Sequence, residues 1–287
     1  MNARISPRIG FSTNVYDNPA DIVGTAQAIL RDFPDIEIEF EDEAKDFLRA
    51  ATPAEYEQTT ARLRGLLQGA DRQISVHAPY LSQSGTNLAS ADDRERAVAV
   101  GQIRQAIAFC ADIGGDRVTY HPGFNDATLT KAALTGNLKR SIAELQEDAT
   151  ARGVMLCLEN MGNGRPKYLV YSADEHAALH RETGTWVTLD LVHLASWGLP
   201  AEEMTREMAT YAPISRNIHF NDMPAQQHRH VPPGDGVLPL SEMLKTMWAF
   251  GYRDAAIIDE FARPIPAARY VARACELVAR IDDAVAA

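Results

Sequence analysis

Eight short apolar runs, separated by longer segments of helical periodicity, set the narrowest limit on what this chain folds into. The runs are RIGFST (8–13), IEIEF (36–40), ISVHA (74–78), RVTYH (117–121), VMLCLE (154–159), WVTLD (186–190), RNIHF (216–220) and AAIIDE (255–260). Most are rich in β-branched residues, which suits strands buried on both faces of a parallel sheet. Between them, Asn18-Pro19 precedes ADIVGTAQAIL and Thr52-Pro53 opens AEYEQTTARLRGLL, with Glu55 placed after Thr52 as in a capping box. Helical segments follow at 91–113, 130–151, 172–182, 201–211, 240–250 and 265–286. Gly114-Gly115, Gly153, Gly184 and Gly251 stand near helix ends, where a left-handed C-cap is needed. The unbroken series of strand–helix units predicts an α/β fold, a single (β/α)8 barrel domain over residues 1–287. A doubly wound open sheet is the alternative. It requires a phosphate-binding glycine fingerprint after the first strand, and FSTNVYDN has none.

Composition narrows the class. With 46% apolar and 23% charged residues, a collagen-like or wholly disordered chain is excluded. The formal net charge of −11 predicts a soluble protein and counts against non-specific nucleic-acid binding, although a local basic groove is compatible with an acidic total. Cys110, Cys157 and Cys275 are sparse and form no CxxC, so they read as small buried apolar residues. MNARISPRIGFS has no apolar signal core, and no apolar run reaches the length of about 18 residues that spans a bilayer. The expectation is a cytoplasmic protein with no membrane partner.

In a (β/α)8 barrel the C-terminal ends of the strands face the active site. Here those ends carry Glu39-Phe40-Glu41, His77, His121, Glu159, Asp190 followed by His193, His219 followed by Asn221-Asp222, and Glu260; the loop after the seventh strand holds His228 and His230. Glu159, Asp190 and Glu260 in one partly desolvated mouth would repel one another, and a divalent cation removes that conflict. Three carboxylates with His219 form a hard, oxygen-rich set suited to Mn²⁺, Mg²⁺, Fe²⁺ or Co²⁺, while the further histidines tilt the wider cluster toward Zn²⁺, Fe²⁺ or Mn²⁺. His176 and His180 have a metal-compatible spacing, but SADEHAALHRETG reads as a solvated surface helix.

The segments SVHAPY (75–80), TYHPG (119–123), CLENMG (157–162), TLDLVH (188–193), NIHFND (217–222), HRHVPPGDG (228–236) and IIDEF (257–261) run in an order that resembles the xylose-isomerase-like barrel superfamily, which also contains AP endonuclease family 2. The ketose epimerases and inosose isomerases of that superfamily hold one metal ion, and the resemblance implies Glu159, Asp190, His219 and Glu260 as its ligands. It also implies Glu159 and Glu260 as the acid–base pair and His193 as a substrate contact. The endonuclease IV branch holds three zinc ions, and its further ligands match His77, His121, His193 and His230. At His228 that branch has Asp, and its first strand tends to carry a His that IGFSTN lacks.

The resemblance therefore implies a divalent-metal-dependent isomerase or epimerase of a sugar, sugar phosphate or inosose, working by proton transfer through an enediolate-like intermediate. One ion is expected, with up to three under the alternatives. Those are an endonuclease IV-like multi-zinc phosphodiesterase, for which nucleic acid would be the partner, and a lyase or dehydratase on the same scaffold. His77, His121, His193, His228 and His230 are further candidates for metal or substrate. Weaker substrate candidates are Glu39, Asn125, Arg165 and Lys167, the last two as phosphate contacts, together with Phe11, Asn14, Tyr16, Glu41, Trp197 and Arg263.

Overall fold

The computed structural model describes residues 8–15, 21–40, 45–69, 71–80, 87–125, 129–162, 169–225, 227–259 and 266–286. Eight parallel strands close into a barrel in sequence order. They are β1 (Ile9–Ser12), β2 (Asp35–Glu39), β3 (Ile74–His77), β4 (Arg117–Tyr120), β5 (Met155–Glu159), β6 (Trp186–Asp190), β7 (Ser215–His219) and β8 (Ala256–Ile258). The open-sheet alternative is thereby set aside: β8 pairs with β1, Ile257 opposite Gly10. Gly10 permits that closure, because a Cβ there would lie 2.6 Å from both the Asp35 carbonyl oxygen and Ile257 Cδ1.

The helices are α1 (Ile22–Ile29), α2 (Lys45–Ala50), α3 (Pro53–Leu67), α4 (Asp93–Ile113), α5 (Lys131–Arg152), α6 (Ala173–Thr183), α7 (Leu191–Ala195), α8 (Ala201–Tyr211), α9 (Leu240–Ala249) and α10 (Ala267–Ala286). Thr52 and Glu55 form the reciprocal capping box at the start of α3. Gly114, Gly153 and Gly184 end α4, α5 and α6 in the left-handed conformation. α1 is capped by Asp21, whose side chain accepts from the Gly24 N–H, and Pro19 lies outside the described residues. The periodicity did not announce the short α2 and α7. α7 owes its start to Asp190, whose side chain accepts from the His193 N–H.

Residues alternate along each strand. On β2, Ile36 and Ile38 join the apolar layer beneath the helices, whereas Glu37 and Glu39 bond to side chains of other strands inside the barrel. Cys110 and Cys157 are buried as expected, but Cys275 is exposed on α10, because it falls on a helix position outside the apolar stripe. Among the described residues, no helix is long and apolar enough to cross a membrane.

Candidate metal centre

The C-terminal ends of β5 to β8 bring four side chains together. One ligand atom from each of Glu159, Asp190, His219 and Asp259 falls within 4.8 Å of the other three, and all four residues are buried. His219 Nδ1 lies 3.5 Å from Glu159 Oε1 and 3.2 Å from Asp259 Oδ2. Within the described residues, His219 Nδ1 and Asp259 Oδ1 are buried and make no hydrogen bond. Orphaned buried atoms on Asp190, His219 and Asp259, beside the Glu159 carboxylate, are a donor set that a divalent cation would satisfy. The residues present therefore fit such an ion.

Local structure explains the aim of each group. Asp190 uses Oδ1 to cap α7, accepting from the His193 N–H at 2.5 Å. Its Oδ2 is left facing the cluster, 3.3 Å from His230 Nε2. The Asp-x-x-His spacing is thus an N-cap and its third helical residue, which places both side chains on one mouth. The His193 Nδ1–H donates to the Asn160 carbonyl at 2.8 Å, and Asn160 in turn bonds to the Asp190 backbone on both sides.

Glu159 is the hub. His77 Nε2 and His121 Nε2 lie 3.1 and 3.0 Å from its Oε2. The His77 Nδ1–H donates to the Ala78 carbonyl at 2.9 Å, so Nε2 is the atom presented to the centre. His77, Glu159 and His219 form a second group of ligand atoms within the same span, and His193, His228 and His230 form a third. The loop carrying His228 and His230 is clamped by Asp222, whose carboxylate accepts from the N–H groups of Met223, Gly234 and Leu238 at 2.8–2.9 Å.

Charge follows the geometry. Burial pushes the carboxyl of Glu159 up, but His121 and His219 outweigh it and hold the group well below the usual carboxylate range. Asp190 is likewise opposed by burial and is drawn down to about 2 by His193 and His230. Asp259 goes the other way, to about 7, because burial and its neighbouring carboxylates exceed the pull of His219. His77 rises to about 10 against burial because Glu159 faces it. The centre is thus an array of buried carboxylates faced by imidazoles, each favouring the charged form of the other against burial.

Glu260, the fourth ligand expected from the resemblance, lies outside the described residues, as do Arg165, Lys167, Tyr16, Glu41 and Arg263. Its neighbour Asp259 is the residue found in the cluster; it shares the inward parity of Ile257 on β8, a signal the run IIDE already carried. The Glu39 carboxylate accepts from Ser12 Oγ at 2.6 Å and Asn14 Nδ2 at 3.1 Å. Asn125 is exposed beyond β4. Phe11 packs on Phe33 in the apolar core. Trp197 donates its indole N–H to the Met161 carbonyl.

The surface reading of His176 is corrected. It is fully buried, with Nδ1 2.9 Å from the Ser172 carbonyl and Nε2 3.4 Å from the Glu159 carbonyl. It shares a helix face with Ala173 and Leu179, and that spacing outweighs the charged flanks. His180 is half-buried, packs on Trp186 and bonds to the Thr185 carbonyl. Sequence reasoning also passed over Glu37, which is wholly buried beneath His219, 2.9 Å from its Nε2.

Comparison with known proteins gives three kinds of likeness. Residues 32–281 match a family described as "Xylose isomerase-like TIM barrel". An uncharacterized protein, MJ1311, from Methanocaldococcus jannaschii is 27% identical over 195 residues, which are 65% of this chain and 64% of that protein, so the chain spans a little under two thirds of that curated relative. Among solved structures, a D-tagatose 3-epimerase-like protein superposes with a TM-score of 0.76 at 22% identity, covering 97% of this chain and 99% of the other. The IOLI protein, solved with a zinc atom bound, gives 0.72 at 15% identity over 97% and 99%. At these identities the structural likeness speaks to the fold.

Proposed function

We propose that this chain, which belongs to the xylose isomerase-like TIM barrel family, is a divalent-metal-dependent isomerase or epimerase of a small polyhydroxylated carbonyl compound, namely a sugar, a sugar phosphate or an inosose. The observation that carries the reading is the convergence of Glu159, Asp190, His219 and Asp259 at the C-terminal mouth of the barrel. The likeness to a D-tagatose 3-epimerase-like protein supports it at the level of the scaffold. When bound, the ion supplies Lewis acidity that polarises a carbonyl and acidifies the neighbouring C–H.

The chain's own residues do the rest. Asp190 and His219 hold the ion. Glu159 takes the carbon-bound proton, and a carboxylate at the end of β8 returns one from another side. The resemblance gives that second role to Glu260, and its neighbour Asp259, which stands in the cluster, is the other candidate. His193, buried and fixed to Asn160, is placed to contact substrate oxygens.

One observation favours a second reading. His77 and His121 both address the Oε2 atom of Glu159, and His193, His228 and His230 gather separately. A glutamate shared between ligand groups is suited to bridging ions, as in a multi-metal phosphodiesterase. Incubating a panel of ketoses, inososes and their phosphates in deuterated water separates the two. The isomerase reading expects metal-dependent deuterium uptake at the carbon beside the carbonyl. Cleavage of abasic-site DNA without exchange would replace it with the second reading.

A further inference from the structure

His219 is held from behind by a carboxylate that no mechanism above uses. Glu37, on β2, is fully buried. Its Oε1 lies 2.9 Å from His219 Nε2, while its Oε2 accepts from Ser75 Oγ at 2.7 Å and Asn217 Nδ2 at 2.9 Å. An ionised carboxylate only accepts hydrogen bonds, so the ring nitrogen facing it must carry the proton. In the neutral ring that would bind an ion, this leaves the Nδ1 lone pair on the side of Glu159 and Asp259, whose oxygens lie 3.5 and 3.2 Å away.

The orientation of this assembly is set from the floor of the barrel. Gln73 Oε1 accepts from the Ala255 backbone N–H at 2.8 Å and from Arg117 Nη1 at 3.0 Å. Both are obligate donors, so the other end of the amide, Gln73 Nε2, must point away and donates to Asn217 Oδ1 at 2.8 Å. Asn217 is thereby fixed with its Nδ2 toward Glu37. A backbone N–H at the foot of the barrel thus determines, through two amides and one carboxylate, which nitrogen of His219 is free.

We propose that Glu37 is a positioning residue, the outer member of a carboxylate–histidine–metal triad that fixes the tautomer of His219 and directs Nδ1 to the ion. This rests on the metal-dependent reading above. Glutamine is a close steric match for Glu37 but has one acceptor oxygen for two demands. If the oxygen serves Ser75 and Asn217, the amide N–H donates to His219 Nε2 and the proton moves to Nδ1, closing the ligand position. If it serves His219, the amide opposes the Asn217 donor.

The test measures zinc affinity, not turnover, by competition against a chromophoric chelator in wild type, Glu37→Gln and Glu159→Gln, with cooperative unfolding checked in each. Glu37→Gln is expected to bind zinc roughly 10–100-fold more weakly than wild type. Equal affinity in Glu37→Gln and wild type would leave Glu37 a structural residue and overturn the proposal alone. A wild type that binds no zinc would overturn the metal-dependent reading and the proposal together. Should Glu37→Gln fail to fold, long-range ¹H–¹⁵N spectra of zinc-loaded wild type decide: His219 protonated at Nε2 and ligated through Nδ1 is expected, and ligation through Nε2 refutes it.

Discussion

The chemistry assigned to Glu159 makes it the least replaceable side chain of the molecule. It contacts four imidazoles and is almost fully buried, so Glu159→Gln keeps the volume while removing both the charge and the proton acceptor. Turnover should fall by at least roughly 10²–10⁴-fold, the usual contribution of a positioned general base, while denaturant unfolding stays cooperative. Full activity in Glu159→Gln would remove this mechanism. At the end of β8, Asp259→Asn and Glu260→Gln form a matched pair. Loss of bound metal in Asp259→Asn with retention in Glu260→Gln is the expected outcome, and the reverse pattern would give the fourth ligand position to Glu260. Much of this site was legible residue by residue, since acids and histidines at successive strand ends point to one mouth. Two members were not. Glu37 stands inside IEIEF, whereas strand-end reasoning reaches only the C-terminal end of that strand, at Glu39 and Glu41. Its parity with Glu39 was the missed signal. Asp259 was not singled out beside Glu260, although it shares the inward parity of Ile257 on β8.

At the level of elements, the strands and most helices followed from apolar periodicity and end signals, while α2 and α7 are too short for a period to register. α7 exists because Asp190 caps it, and that cap is also what aims the Asp190 carboxylate. Loop 223–238 depends on Asp222 in the same way. Removing the carboxylate in Asp222→Ala frees three backbone donors and should cost about 2–4 kcal/mol in chemical denaturation. Gly236→Ala should act at the same point, since a Cβ there would lie 2.3 Å from Asp222 Oδ1 and 2.4 Å from the Met223 carbonyl oxygen. Both variants are expected to weaken binding at His228 and His230 along with stability. By contrast, Thr52→Ala breaks the exposed capping box of α3, away from the ligand atoms. It should lose ~1 kcal/mol and leave zinc affinity unchanged. A fall in affinity equal to that of Asp222→Ala would mean that the measurement reports stability alone.

For the whole molecule, closure of the barrel places carboxylates from β5, β6 and β8 in one dry mouth, an arrangement stabilised when a cation joins it. An ion that binds only the folded chain adds about 2.7 kcal/mol at a hundredfold excess over its Kd. Chelation of the loaded protein should therefore lower Tm by several degrees, with recovery on re-addition. The most direct measurement is metal content per chain in protein purified without added metal, by mass spectrometry of the digested protein, with Glu159→Gln as the control. The account predicts a single tightly held divalent ion in wild type that is lost in Glu159→Gln; two or three ions would favour the phosphodiesterase. A wild-type chain that carries no ion, and takes up none from micromolar zinc or manganese, would contradict it.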